Sequence, residues 1–134
     1  MGLFDFFKRK KKELPIEAQK WNKMWELWAD EAAASPYAEL MTYQAEVNNG
    51  GHAQFFDNVS NTSDLPKTVE ALYTVLEEAL RENIEKAYTA FLAYDENDEE
   101  DTISALLDEC DAVFYENESE IERILQAYAD TLEL

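Results

Sequence analysis

Apart from Gly2, the chain has two glycines, and they are neighbours: Gly50 and Gly51, in the stretch EVNNGGHAQFF from Glu46 to Phe56. Its three prolines are Pro15, Pro36 and Pro66, so little punctuates 134 residues. A sandwich or barrel of short strands needs turn signals about every 8–12 residues. This chain cannot supply them. It therefore reads as all-α, a single compact multi-helix domain of about six helices with a Gly-Gly helix corner.

The apolar pattern marks the helices. Pro15 suits a first helical turn. Ile16, Trp21, Met24, Trp25 and Trp28 then recur at helical spacing, and such a tryptophan stripe reads as core. Ser35 is a good N-cap and Pro36 a good first residue, and Leu40, Met41, Gln44 and Val47 carry one face to Asn48. Asn and Gly accept left-handed backbone angles, so Asn-Asn-Gly-Gly fits a helix end and HAQFFDNVS a short new helix. On this reading Asn49, Gly50, Gly51, Gln54, Phe55 and Phe56 build a structural corner. The adjacent phenylalanines clamp it from two sides, and Gln54 or Asn49 bonds backbone groups freed there.

Ser63 and Asp64 are N-cap candidates for the next helix, which carries Val69, Leu72, Tyr73, Leu76 and Leu80. Ile84, Ala87, Tyr88 and Phe91 form a further face. No Gly or Pro separates the two, so Leu65–Phe91 is one kinked helix or two. Two last helices are expected, over about Thr102–Tyr115 and Ser119–Leu132, with Ile121, Ile124, Leu125, Tyr128 and Leu132 as the final stripe.

Charge divides the chain. The formal net charge is -19, from 11 basic and 30 acidic residues. Five of the bases are Lys8, Arg9, Lys10, Lys11 and Lys12, while from Asp95 to Leu134 Arg123 is the one base among 15 acids. This gives an apolar-then-basic N-terminal segment, residues 1–12, ahead of an acidic helical domain, residues 13–134. A body this acidic repels nucleic acid and attracts basic proteins. A solvated surface that serves only solubility accounts for the acids equally well.

The N-terminal segment puts Leu3, Phe4, Phe6 and Phe7 before its charges, the reverse of a secretory signal. Phe6 stands where a myristoylation signal needs Ser or Thr. Apolar residues followed by five bases can also lie on an anionic membrane surface, which would make the protein a membrane-surface-tethered adaptor. No apolar stretch approaches the roughly 20 residues of a membrane span. Cys110 is alone, which excludes an intrachain disulfide and fits a cytoplasmic protein. It lies four residues after Leu106 and four before Phe114, on one helical face, and so reads as a buried thiol.

No constellation for catalysis stands out, and the chain reads as a non-enzyme that needs no cofactor and no metal. His52 is the only histidine. Its nearest acids in sequence, Glu46 and Asp57, form no ligand spacing, and no nucleophile elbow is present. A glycine corner at a helix N-terminus can cradle an anion, but no Lys or Arg is near and there is no P-loop. Read as an EF-hand from Asp95, the sixth position is Glu100 rather than Gly and the twelfth is Leu106 rather than Glu.

The order of three segments, EVNNGGHAQFFDN, LPKTVEALYTVL and LLDECDAVFYENE, resembles the bacterial DNA-mimic protein family over roughly Pro36 to Tyr128. His52 stands where that family usually has an aromatic residue, and Leu76 and Glu77 stand where it has a glycine. The resemblance implies an all-α fold. It also implies an inhibitor that displays carboxylates like DNA phosphates and occupies a basic DNA-binding protein. The candidate acids for that surface are Asp95, Glu96, Asp98, Glu99, Glu100, Asp101, Glu116, Glu118, Glu120 and Glu122. Helix residues three or four apart have Cβ atoms about 5–6 Å apart, so rows of acids can approach the charge density of one DNA strand.

Overall fold

The computed structural model describes residues 14–94 and 100–134, Glu100 by its backbone only. The N-terminal segment, residues 1–12, and the candidate acids Asp95, Glu96, Asp98 and Glu99 lie outside the described residues. The described part holds five helices and no strand: α1 Ile16–Ala29, α2 Tyr37–Thr62, α3 Leu65–Val75, α4 Glu78–Tyr94 and α5 Glu100–Ala129. Residues 14–33 with Gln126–Leu134 form one compact unit, and Ala34–Leu125 form the other.

In the first unit Pro15 sits at the N-cap position of α1. The helix ends with Glu31 at φ 58, where the amides of Glu31 and Ala32 reach back to the carbonyls of Trp28 and Leu27. This is the Schellman arrangement, with Glu in the place glycine usually takes. The tryptophan stripe packs edge-to-face, Trp21 on Trp25 at 6.3 Å and Trp25 on Trp28 at 5.3 Å. All three rings are half-buried, and Met24 alone on this helix is fully buried. The Lys20 ammonium donates to the Asp130 carbonyl at 3.1 Å, and the Gln126 amide donates to Asp130 Oδ1 at 3.0 Å.

In the second unit the Gly-Gly pair forms the expected corner between two helical stretches. Gly50 and Gly51 lie inside the span of α2 as a kink with non-helical backbone. Ser35, expected to cap this helix, turns its hydroxyl to the Glu39 carboxylate at 2.9 Å instead. Asp64 caps α3, accepting from the Lys67 amide at 3.2 Å, while Ser63 closes α2.

Leu65–Phe91 divides into two helices at Leu76 and Glu77, without Gly or Pro. Leu76 is in extended conformation and 1% exposed, and its carbonyl accepts from the Arg81 guanidinium at 2.9 Å. Burial of that side chain, with Arg81 capping the freed carbonyl, takes the place of punctuation. The two helices expected at the C-terminus are one. Ile103, Leu107, Cys110, Phe114, Ile121, Leu125 and Tyr128 form one buried stripe on the single helix α5. Asn117 and Glu118 fall on that stripe where an apolar residue would continue it, which made the pattern look interrupted. With the two stretches across the kink counted as the one helix α2, and the C-terminal pair merged, five helices stand where about six were expected.

The core of this unit is aromatic. Tyr43 meets Phe55 at 5.0 Å and Phe114 at 5.3 Å, both edge-to-face, while Phe56 stacks on Tyr88 at 5.7 Å and on Phe91 at 5.0 Å. Phe55 thus faces back to the first half of α2, and Phe56 faces α4. Among the described residues no helix is long and apolar enough to cross a membrane.

Cys110 is 1% exposed, and burial foremost pushes its thiol above the ordinary value, against the pull of Lys86. A thiol reagent is therefore expected to label the native protein on the order of a hundredfold more slowly than the urea-unfolded chain. The comparison is a labelling time course by mass spectrometry. Equal rates would contradict the core position.

Candidate functional site

The kink in α2 answers what the Gly-Gly pair is for. Gly51 has φ 77 and ψ -176, a region open in practice only to glycine. Gly50, at φ -159 and ψ 20, has extended φ that any residue adopts. Its constraint is contact: a Cβ there would stand 2.9 Å from the Gln54 Cβ and 2.1 Å from Gln54 Oε1.

The kink exposes backbone groups that a continuous helix would pair internally. Neither Gln54 nor Asn49 takes the freed amide. Asp111, on α5, does: its Oδ1 accepts from the His52 backbone N–H at 2.8 Å and lies 2.6 Å from His52 Nδ1. Its Oδ2 faces Gly51 so closely that a Cβ there would be 2.4 Å away. One turn along α5, the Tyr115 hydroxyl donates to the Val47 carbonyl at 3.0 Å. The cradle that a glycine turn makes at a helix N-terminus is therefore filled, and its anion is the chain's own carboxylate.

His52 is fully buried, in contact with the rings of Tyr43, Phe56 and Phe114, which accounts for its standing in an aromatic residue's place. Its Nε2 lies 2.5 Å from the Tyr43 hydroxyl. A carboxylate only accepts, so Nδ1–H donates to Asp111, and Nε2 accepts the Tyr43 hydroxyl proton when the ring is neutral. Burial foremost, then the charges of Cys110 and Asp111, pushes the Tyr43 hydroxyl well above its ordinary value. Among the described residues no group of three or more His, Cys, Asp or Glu could hold a metal ion.

Gln54 and Asn58 have another task. Their amides donate to Glu46 Oε2 at 2.9 and 2.8 Å, tying the helix after the kink to the helix before it. Glu118 acts similarly between helices, accepting from Gln44 at 3.1 Å and Asn48 at 2.7 Å.

The remaining candidate acids on α5 differ in exposure. Asp101, Glu116 and Glu122 are exposed, while Glu118 and Glu120 are half-buried, with Glu120 Oε2 covered and without a hydrogen-bond partner. Sequence reading missed acids on α4. Exposed Glu82 and Glu85 line a groove of about 460 Å³ whose opposite wall is Thr102, Ile103 and Leu106 of α5. Asp101 and Glu109 flank the same Thr102 and Leu106 on the far side. Among the described residues Lys86 is the one cation lining this groove. Glu77, in the link before α4, pairs with Arg123 of α5, both exposed, a contact worth little to stability.

A family model described as DMP19-like protein matches residues 36–132. The chain belongs to the DMP19-like family. DMP19 is a family of DNA-mimic proteins, so the resemblance carried by Asn49, Gly50, Gly51, Gln54, Phe55 and Phe56 holds. No curated protein and no solved structure matches the chain. The family match spans the kink and its seat at Asp111 together with the acids of α4 and α5, and starts beyond α1.

Two expectations follow for this DMP19-like chain. Gly51→Ala and Asp111→Ala each destabilise by about 2–4 kcal/mol, through backbone strain in the first and an unpaired buried imidazole and amide in the second. Asn49→Ala, at an exposed position, changes stability by less than about 0.5 kcal/mol. Urea midpoints measure all three. Tyr43 also sets an alkaline limit. Its folded pKa is raised, so the stability it confers is whole below its unfolded value near 10.0 and falls as pH rises through the folded value. Tyr43→Phe should lose less stability than wild type between pH 9 and pH 11 in the same assay.

Proposed function

We propose that the protein is an acidic protein-binding module that acts as a DNA mimic and inhibits a basic DNA-binding protein by occupying its DNA-binding surface. The proposed location is the reducing cytoplasm, and the proposed surface includes Asp101, Glu116, Glu118, Glu120 and Glu122 with Glu82, Glu85 and Glu109. Family membership supports the general role. The observation that carries the surface is that exposed Glu82 and Glu85 of α4 line a groove against Thr102 and Leu106 of α5, while exposed Asp101 and Glu109 of α5 border a second hollow over the same two residues.

The physics favours a surface of this kind. Exposed acids on α5 alone are sparse: Asp101, Asp108, Glu109, Glu116 and Glu122 spread over 21 residues, about 32 Å at the helical rise. Duplex DNA carries one charge per about 1.7 Å of axis. A single helix therefore falls short, and a second acidic helix alongside narrows the gap. The charge of such a surface repels nucleic acid itself, so a basic protein is the fitting partner.

The test is capture of a client from the native cytoplasm on the immobilised full chain, eluted by a salt gradient. Binding should weaken steeply with salt, since exposed charges are screened beyond about 8 Å at physiological ionic strength. Duplex DNA should compete for the client. Replacing Glu82, Glu85, Glu116 and Glu122 together by Gln should weaken binding at least about tenfold and leave the urea midpoint unchanged or raised, because self-repulsion falls. Retention indifferent to DNA, or unchanged in the Gln variant, would contradict mimicry.

A further inference from the structure

The groove between α4 and α5 is lined by carbon as well as by charge. Ala90 and Ile103 lie deepest, 5% and 7% exposed, with half-buried Ala93 and Leu106 beside them. Exposed Glu82 and Glu85 line the same groove from α4. Exposed Asp101 and Glu109 border a second hollow, of about 470 Å³, over Thr102 and Leu106. Leu106 is common to both hollows, so apolar surface and the carboxylates of two helices adjoin there. Those four acids face Lys86, the one base among the described residues that line the two hollows.

What each part rejects narrows the occupant. Nucleic acid and acidic peptides are repelled by the carboxylates. A lone metal ion finds no group of three or more His, Cys, Asp or Glu to hold it among the described residues. A small apolar molecule covers the carbon surface and leaves the acids repelling one another. An extended basic peptide brings unpaired backbone N–H and C=O groups. A groove between two helices offers them no row of backbone partners, since each helix pairs its own. A helix carries its backbone bonds with it, and the small Ala90 and Ala93 let a third helix approach closely. Asp101 to Glu109 spans eight residues of α5, about 12 Å at the helical rise. Apolar anchors at i, i+4 and i+7 of a docked helix cover nearly the same length.

We infer that the α4–α5 groove receives a basic amphipathic helix of the partner protein, with its apolar side chains on Ala93, Ile103 and Leu106 and its cationic side chains on Glu82, Glu85, Asp101 and Glu109. This rests on the reading of the chain as an acidic decoy and deepens it by naming what the partner presents. Charge alone attracts any basic surface and fades with salt. Burial of apolar side chains persists in salt. A surface that offers only phosphate-like charge is indifferent to where the partner's apolar residues point. This groove demands that they share one helical face.

The test uses the full chain with 13C-labelled Ala, Ile and Leu methyl groups and three acetylated, amidated peptides of about four helical turns. The first is made of lysine and leucine, with its leucines on one helical face. The second has the same composition, with the leucines spread around the helix. The third is the first with glutamate in place of lysine. The first peptide should shift the methyl signals of Ala93, Ile103 and Leu106. It should bind at least about tenfold more tightly than the second, the scale of burying one leucine side chain, and keep that preference at high salt. Ala93→Gln, which fills the groove, and Leu106→Ala, which removes part of its lining, should each abolish the preference, with urea midpoints showing which variants remain folded. Equal binding of the first and second peptides would overturn the inference. So would equally tight binding of the third, shifts confined to methyl groups away from the groove, or a dimer of the chain alone that shows the same shifts. A client displaced by duplex DNA, with the first two peptides bound equally, would sink this inference and leave the decoy reading standing. Failure of the decoy reading looks different: no client that DNA displaces is captured, while the first peptide still shifts the groove.

Discussion

One carboxylate holds the second compact unit in its shape. Asp111 reaches from α5 into the break in α2, accepts the His52 backbone N–H at 2.8 Å and lies 2.6 Å from its ring. Gly51 must be glycine twice over, because its φ is 77 and because the carboxylate occupies the space a Cβ would need. The positive end of the helix that begins after the kink faces this negative charge, which is the favourable sense of the helix dipole. His52 in turn orients Tyr43, and Tyr43 is the hub on which Phe55 and Phe114 pack. Backbone, buried polar network and aromatic core thus hang on one acid.

The acids of this chain accordingly do two kinds of work. Asp111, Glu46, Glu118 and Asp64 are hydrogen-bonded to the fold: at the kink, across the kink, between α2 and α5, and at the start of α3. Glu82, Glu85, Asp101, Glu109, Glu116 and Glu122 are exposed to water. The first set gains partners that offset its desolvation. The second set repels itself, a cost that a basic partner would relieve.

Much of the fold was legible because helical periodicity is written in side chains. The stripes of α3, α4 and α5, the buried Cys110 and the opposed placement of Phe55 and Phe56 all follow from spacing. What failed was punctuation. The corner at Gly50–Gly51 is present, with Gly51 at φ 77, but spacing gave no sign that α5 takes up the freed amide from 59 residues away in sequence. Leu76 ends α3 by burial rather than by residue type. Glu118 hides the continuity of α5, since a polar residue sits on its buried stripe and is satisfied by Gln44 and Asn48. At the site, Asp111 was unreadable as the partner of His52: the nearest acids in sequence, Glu46 and Asp57, are not its partners. The acids of α4 carried no signal of their own, and only packing against α5 brings Glu82 and Glu85 to the same groove as Thr102 and Leu106.

The division of the acids into a structural set and an outward set is open to direct measurement. Carboxyl groups can be labelled with a carbodiimide and a small amine and read by mass spectrometry, for the full chain alone and with its captured client bound. The account predicts that Glu82, Glu85, Asp101, Glu116 and Glu122 label quickly in the free protein and are protected by the client, while Asp111 stays unlabelled in both. Rapid labelling of Asp111 in the native protein would contradict the seat at the kink. Client protection that spares α4 and α5 would contradict the acidic face.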